Sequence, residues 1–322
     1  MKLNLTDTQK SIVKILFVEK ESSRSLLANK LSLTNAALTL ALKPMLQKEI
    51  ILEAKNDVQR VGRKELRLEL NSEYGYFLGI DIRKHHLYFY LMDFVGNLIS
   101  SSDDKTTTLK EFYLEKKDKI LAIGITIRGL VNDSTLKEKY PELNKEIEEL
   151  EVPIYTFNNV DCLANIYVLY HKEDKNFLLV KYGPGVGSSI YVLGKPLGNL
   201  SELGHTYYQG KTLEDTISYQ ALLNKEIEEQ EANEIILKDK NKLKEILKVL
   251  SFALCNADSL LSLQKIVLSG QLLSDNDIVD KLKAELLSLK NNFDCSKLVV
   301  YPNYNELNNK KSCIGAFLKL FS

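Results

Sequence analysis

Glycine and proline are scarce in this chain, at 15 and 6 of 322 residues, while apolar residues make up 44%. That balance excludes a collagen-like or a disordered polypeptide. Cysteine is scarce as well. Cys162, Cys255, Cys295 and Cys313 show neither CxxC spacing nor clustering, so they read as thiols of a reducing compartment and not as a disulfide frame or a zinc site. No apolar run approaches the roughly 18 to 20 residues that a membrane span requires, and no signal peptide is expected. Net charge is missing too, because 43 Lys and Arg balance 43 Asp and Glu. The expectation is a soluble, cytoplasmic protein, long enough for about two domains.

The zero net charge conceals an asymmetry. Residues 1–75 carry 13 basic and 9 acidic side chains, and the remainder carries 30 and 34. A basic excess at one end fits a nucleic-acid module, and equally a solvated surface.

The pattern of the first seventy residues is more specific. Thr6-Asp7-Thr8-Gln9 offers capping residues ahead of Ile12, Val13, Ile15 and Leu16, an apolar face at helical spacing. A second periodic stretch runs over residues 23–31. Thr34 is placed to cap a third helix with Ala37, Leu38, Ala41 and Leu42 inward, although Pro44 is expected to end or kink it. Two strands follow at residues 50–52 and 66–70. Three helices and a hairpin are the order of a winged helix-turn-helix, whose third helix enters the major groove. Asn35 and Thr39 are then expected at base edges and Lys43 at a phosphate, while Arg63 and Lys64 beside Gly62 form a basic wing tip suited to phosphates or the minor groove.

From Tyr76 onward strands alternate with helices. Strands are expected at residues 77–82, 87–93, 120–127, 153–157, 177–181, 189–193 and 265–268, and helices at 161–170, 214–229, 238–263 and 278–291. Such alternation predicts an α/β domain with buried sheets.

Seven segments in order then carry a resemblance: Gly79-Ile80-Asp81-Ile82; Gly124-Ile125-Thr126-Ile127-Arg128-Gly129; Asn158-Asn159 before a helix; Gly183-Pro184-Gly185-Val186-Gly187; Gly194-Lys195; Glu202-Leu203-Gly204-His205; and Ser269-Gly270 after a strand. The chain resembles the ROK family of repressors and sugar kinases over nearly its whole length. The resemblance implies an actin/hexokinase-like (ribonuclease H-like) two-lobed α/β domain behind the winged helix. The expected boundaries are residues 1–72 for DNA binding and 73–322 for ligand binding and dimerisation.

The family's kinases use an Asn-Asp pair, whose Asp takes the proton from a sugar hydroxyl. Here the pair reads Asn158-Asn159, and an amide does not accept that proton. Sliding the register to Asp161 would cost Asn158 its match. The kinases also continue from Asp81-Ile82 into a bare Gly-Gly-Thr phosphate loop, where this chain has Arg83-Lys84-His85-His86. His85 and His86 read as a hairpin tip and not as metal ligands. The family's zinc site joins the His of the Glu-x-Gly-His segment to three cysteines, and none follows His205 before Cys255; Tyr207 and Tyr208 are expected to pack in that place. The resemblance leaves Asn158, Asn159, Glu202, His205 and Glu214 as contacts for sugar hydroxyls. The same acids at helix starts are also what a helix dipole favours. The expected protein is a sugar-responsive repressor, a homodimer on operator DNA with a sugar or sugar-phosphate effector and no metal, cofactor or catalytic residue. The alternatives are an active kinase transferring phosphate from ATP to a hexose, and a regulator that has lost its ligand.

Overall fold

The structure, a computed structural model, describes residues 4–54, 66–83, 86–104, 106–114, 116–129, 131–132, 134–198, 202–225 and 229–322. The chain forms two units: Met1–Asn159 with Asn309–Ser322, and Val160–Asn308.

The first unit opens with α1 (Asp7–Glu19). Its Thr6 cap and Gln9 side chain bond each other's backbone N–H reciprocally, and Ile12, Val13, Ile15 and Leu16 are buried as expected. After β1 (Glu21–Ser23) come α2 (Arg24–Leu31) and α3 (Asn35–Gln47), capped by Ser23 and Thr34. Strands β2 (Ile51–Ala54) and β3 (Arg67–Leu70) complete an antiparallel sheet of order β1-β3-β2. The expected hairpin therefore has a third strand, three residues long, in which Glu21 lies opposite Glu69. Pro44 sits inside α3 without ending it. The carbonyl that loses its helical donor belongs to Leu40, and Leu40 is on the solvent side of the helix, where water can replace the bond.

The same unit continues with a sheet of β4 (Tyr76–Arg83), β5 (His86–Asp93), β6 (Leu98–Ser102), β7 (Ile120–Ile127) and β8 (Ile154–Asn158), in the order β6-β5-β4-β7-β8. Helices α4 (Leu109–Leu114), α5 (Thr135–Lys139) and α6 (Pro141–Glu148) lie between its strands in sequence, and α7 (Asn159–Tyr170) leads into the second unit. Gly79 and Gly124 are partners across β4 and β7. A side chain on either would collide with residues of the last helix of the chain, since a Cβ at Gly124 would stand 1.9 Å from the Ser312 carbonyl oxygen. The bare strands let that helix sink onto the sheet. Its Phe317 stacks on Phe17 of α1 with ring centroids 4.1 Å apart. Lys20 and Lys310 donate to the carbonyls of Val95 and Gly96 at the β5–β6 turn, at 2.7 and 2.9 Å. The winged module is thus anchored to this sheet by a buried ring, an interaction of about 1.5–3 kcal/mol, and not by a tether alone.

The second unit repeats the same topology. Its sheet contains β9 (Phe177–Tyr182), β10 (Val186–Val192), β11 (Lys195–Pro196), β14 (Lys265–Ser269) and β15 (Leu298–Val300) in the order β11-β10-β9-β14-β15. In each sheet the first three strands are antiparallel and the last two parallel to the first. Between them lie the hairpin β12 (Tyr207–Tyr208) and β13 (Lys211–Thr212), then α8 (Leu213–Ile217), α9 (Tyr219–Leu223), α10 (Glu229–Lys238) and α11 (Lys240–Leu261). The continuous helix expected at 214–229 is broken at Ser218, whose extended backbone and side chain cap α9. Helices α12 (Asn276–Leu289), α13 (Tyr304–Asn309) and α14 (Lys311–Leu320) close the chain, α14 returning to the first unit. No helix among the described residues is long and apolar enough to cross a membrane.

Candidate functional site

Asp81 ends the Gly-x-Asp segment of β4 and is 3% exposed. Its partner across the sheet is Thr126 of β7, whose hydroxyl donates to Asp81 Oδ1. Lys311, the first residue of α14 and 2% exposed, places its ammonium on Oδ2. Arg83 approaches the same oxygen with Nε at 3.0 Å and Nη2 at 2.9 Å, and also donates to the Tyr90 hydroxyl at 3.1 Å. Burial alone would raise the Asp81 carboxyl. The charges of Lys311 and Arg83, with the bonds from Lys311 and Thr126, outweigh it and hold the group at about 2. Burial pushes Tyr90 up to about 12, with the Asp81 charge adding to it and the Arg83 charge opposing it.

This cluster bears on the nucleotide and magnesium that sugar kinases of the fold require. Two cations of the chain itself already neutralise Asp81, and the Arg83 side chain turns back toward the carboxylate at the end of β4. The residues do not fit a magnesium nucleotide. Arg83 pairs with His86 across the β4–β5 turn, and the His86 ring donates to the Asp103 carbonyl at 2.6 Å. Lys84 and His85 lie outside the described residues. Lys311 carries no signal in the sequence, because its partner stands 230 positions away.

In the second unit the turn Gly183–Gly187 is held from within. Gly183 donates to the Gly185 carbonyl at 3.0 Å, and Val186 donates to Glu214 Oε2 at 3.1 Å. A second acid, Glu229, accepts from the Gln271 backbone at 3.4 Å and lies against Gly183. Two carboxylates facing the glycine turn oppose a bound phosphate by like charge.

Glu214 also lies against Gly204, so the structure brings it beside the single 3₁₀ turn Leu203–His205 that carries the expected sugar contacts Glu202 and His205. Leu203 ties that turn to β10 by donating to Ser188 Oγ at 2.9 Å. The Glu202 and His205 side chains make no hydrogen bond to another described residue, Glu202 being half-buried and His205 exposed. Asn158 ends β8, and its amide donates to the Gly129 carbonyl at 2.8 Å. Asn159 opens α7, half-buried and likewise without a side-chain bond among the described residues. Asp161, just inside the same helix, accepts from Ser189 at 2.7 Å, and burial raises its carboxyl.

Among the described residues His205 belongs to no compact group of potential metal donors. Where cysteines would follow, Tyr207 pairs with Thr212 and Tyr208 with Lys211 around a Gln209-Gly210 turn with φ of 49° and 84°, the geometry of a tight hairpin. Tyr208 packs edge-on against Phe252 at 5.1 Å, while Tyr207 is exposed. The donor set does not fit zinc. Among the described residues the one compact group of potential ligands is His171, Glu173 and Asp174, which does not include His205.

On the winged module, Asn35, Thr39 and Lys43 lie on α3, with Asn35 and Thr39 exposed and Lys43 exposed beyond them. The Thr39 hydroxyl donates to the Asn35 carbonyl at 2.8 Å. Arg63 and Lys64 lie outside the described residues.

The profile of the ROK family matches residues 103–320. A xylose repressor of Staphylococcus xylosus is 24% identical over 264 residues, spanning 69% of this chain and 68% of its own length. A xylose repressor of Caldicellulosiruptor bescii is 22% identical and spans 61% and 57%. The crystal structure of a ROK family transcriptional regulator, a homolog of the E. coli MLC protein, superposes on 98% of both chains with TM-score 0.66 and 19% identity. A ROK family glucokinase from Streptomyces griseus, solved with glucose and AMPPNP, covers 76% of this chain and 99% of its own, with TM-score 0.57 and 16% identity. These likenesses identify the fold as actin/hexokinase-like. With the family profile matched over more than half its length, the chain belongs to the ROK family.

Proposed function

We propose that this chain is a sugar-responsive transcriptional repressor of carbohydrate-metabolism genes, cytoplasmic and without kinase activity. The observation that carries the reading is the N-terminal module, three helices and a small antiparallel sheet that present the outer face of α3 to solvent. The regulator compared above covers 98% of the chain and the glucokinase 76%, in keeping with a part that the kinase lacks. In this reading residues 1–72 bind operator DNA, with Asn35 and Thr39 toward base edges and Lys43, Arg63 and Lys64 toward phosphates or the minor groove. Residues 73–322 bind the effector and dimerise, because paired winged helices read half-sites about one helical turn apart.

The effector is a sugar or sugar phosphate held by Asn158, Asn159, Glu202, His205 and Glu214. Xylose is the first candidate, since the compared repressors carry its name. Two features support the absence of phosphotransfer: Asn159, which takes no proton, and Asp81, which Lys311 and Arg83 occupy. The test is fluorescence anisotropy on duplexes from the DNA upstream of the protein's own coding region, titrated with a panel of pentoses, hexoses and their phosphates. Specific binding that one sugar shifts by about tenfold or more, a coupling of about 1.4 kcal/mol, supports the reading. Binding no stronger than to scrambled DNA would sink it.

A further inference from the structure

Helix α3 advances about 100° per residue. Leu38, Leu42 and Met45 mark its buried side. Directly opposite fall Ala36, Leu40, Lys43 and Gln47, on the solvent side of the helix, and Thr39 and, further round, Asn35 lie to one side of that line. The Thr39 hydroxyl proton is already used within the helix, on the Asn35 carbonyl. The middle of the outward face is therefore apolar: Leu40 is 74% exposed, with Ala36 one turn before it and Lys43 and Gln47 beyond it. A leucine standing in water at mid-helix contributes nothing to the module's core, which Leu38, Leu42 and Met45 already fill.

We propose that Leu40 is a specificity-determining residue that reads the 5-methyl group of thymine in the major groove, with Ala36 beside it; the inference rests on the DNA-binding reading above. Among the four unmodified base pairs, only the thymine edge offers an apolar group in that groove; the other edges present donors and acceptors. Leucine offers neither, so pressing it on adenine, guanine or cytosine strips water from polar atoms without replacing their bonds. Against a thymine methyl the same contact buries carbon on carbon. Lys43 and Gln47 further along the outward line supply the polar contacts that fix the register. The half-site is thus selected at this position by a methyl group and not by a hydrogen bond.

The test uses the full chain. A random duplex library is enriched on the protein to define the preferred half-site, and each thymine in it is then replaced singly by deoxyuridine, which deletes only the methyl. Binding of the unaltered protein is expected to weaken about threefold to fivefold at one or two positions. Leu40→Ala is expected to bind the thymine site as weakly as the unaltered protein binds the uracil site, and to lose the difference between the two. 5-Methylcytosine at the same position is expected to restore part of what cytosine loses. If no thymine is sensitive to uracil, or if Leu40→Ala keeps the full discrimination, the inference is overturned while sequence-specific binding stands. If Leu40→Ala instead dissociates a dimer and leaves discrimination intact, Leu40 belongs to an interface between copies, and the inference is overturned. If the library yields no preferred sequence, the DNA-binding reading falls and the inference with it.

Discussion

Asp81 and Glu202 are both acids in glycine-bearing segments that carry the ROK resemblance, and their surroundings are opposite. Asp81 is buried, bonded to Thr126 and matched by two cations. Glu202 is half-buried, and with His205 and Asn159 it has no side-chain partner among the described residues. Where a nucleotide would bring a cation, the chain supplies its own. Where a sugar would bring hydroxyls, polar groups remain unengaged. On the reading proposed above, the contrast teaches that loss of chemistry need not bring loss of recognition, since one acid can be satisfied within the chain while another is left without a partner among the described residues.

The contrast breaks most visibly at Lys311. Truncation to Ala leaves Asp81 buried with Arg83 as its remaining cation, and is expected to cost about 3–5 kcal/mol in urea unfolding. Lys311→Met combined with Asp81→Asn should recover most of that loss, because neither buried charge then stands alone. A Lys311→Ala loss within about 0.5 kcal/mol would mean that the ion pair contributes little. The pH dependence of stability has the same origin. Asp81 titrates at about 2 in the folded chain against an ordinary value of 3.8. Its folded pKa is depressed, so its contribution is present above about pH 4 and fades as pH falls from there toward 2. About 2 kcal/mol is at stake, and Asp81→Asn should flatten that limb of the stability curve.

On the open side the effects are functional and small in stability. Glu202→Gln and His205→Ala should each abolish the sugar-induced change in operator binding while altering unfolding by no more than about 0.5 kcal/mol. A larger loss of stability with the sugar response intact would make these residues structural. Arg63 and Lys64, the proposed wing-tip cations, give the smallest effect at any one base. Removing Arg63 and Lys64 together should weaken specific and scrambled duplexes alike and reduce the salt slope by about 0.9 for each phosphate no longer neutralised. Unchanged affinity and slope on both duplexes would remove these residues from the DNA interface.

How far the sequence can be read follows the range of the interactions. Thr6 with Gln9 and the cap at Thr34 are local, and the three N-terminal helices stand where their periodicity places them. Strand β7 matches its expected span of 120–127 because a run of buried apolar residues needs no partner to be recognised. Strand β1 escapes, since three residues carry no period and its partner β3 lies more than forty positions on. Pro44 suggests a break that the exposed Leu40 carbonyl makes tolerable. The break at Ser218 is hidden because Ser is an ordinary residue in a helical pattern until its cap is seen. The proposed sugar contacts Asn158, Asn159, Glu202, His205 and Glu214 follow from the ROK resemblance. Lys311 does not, for nothing local marks a lysine at a helix start as buried. The partial signal is the spacing Gly79-x-Asp81 beside Gly124-x-Thr126, a glycine pair that admits a helix next to an acid in need of a cation.

The central claim is that recognition of sugar persists where phosphotransfer does not. It is tested most directly by following operator affinity and sugar phosphate formation in one titration of the full chain with the effector sugar, with and without ATP and magnesium. The account predicts the same sugar-dependent shift in operator affinity in both series and no sugar phosphate. Steady formation of sugar phosphate, lost in Asp81→Asn, would contradict it.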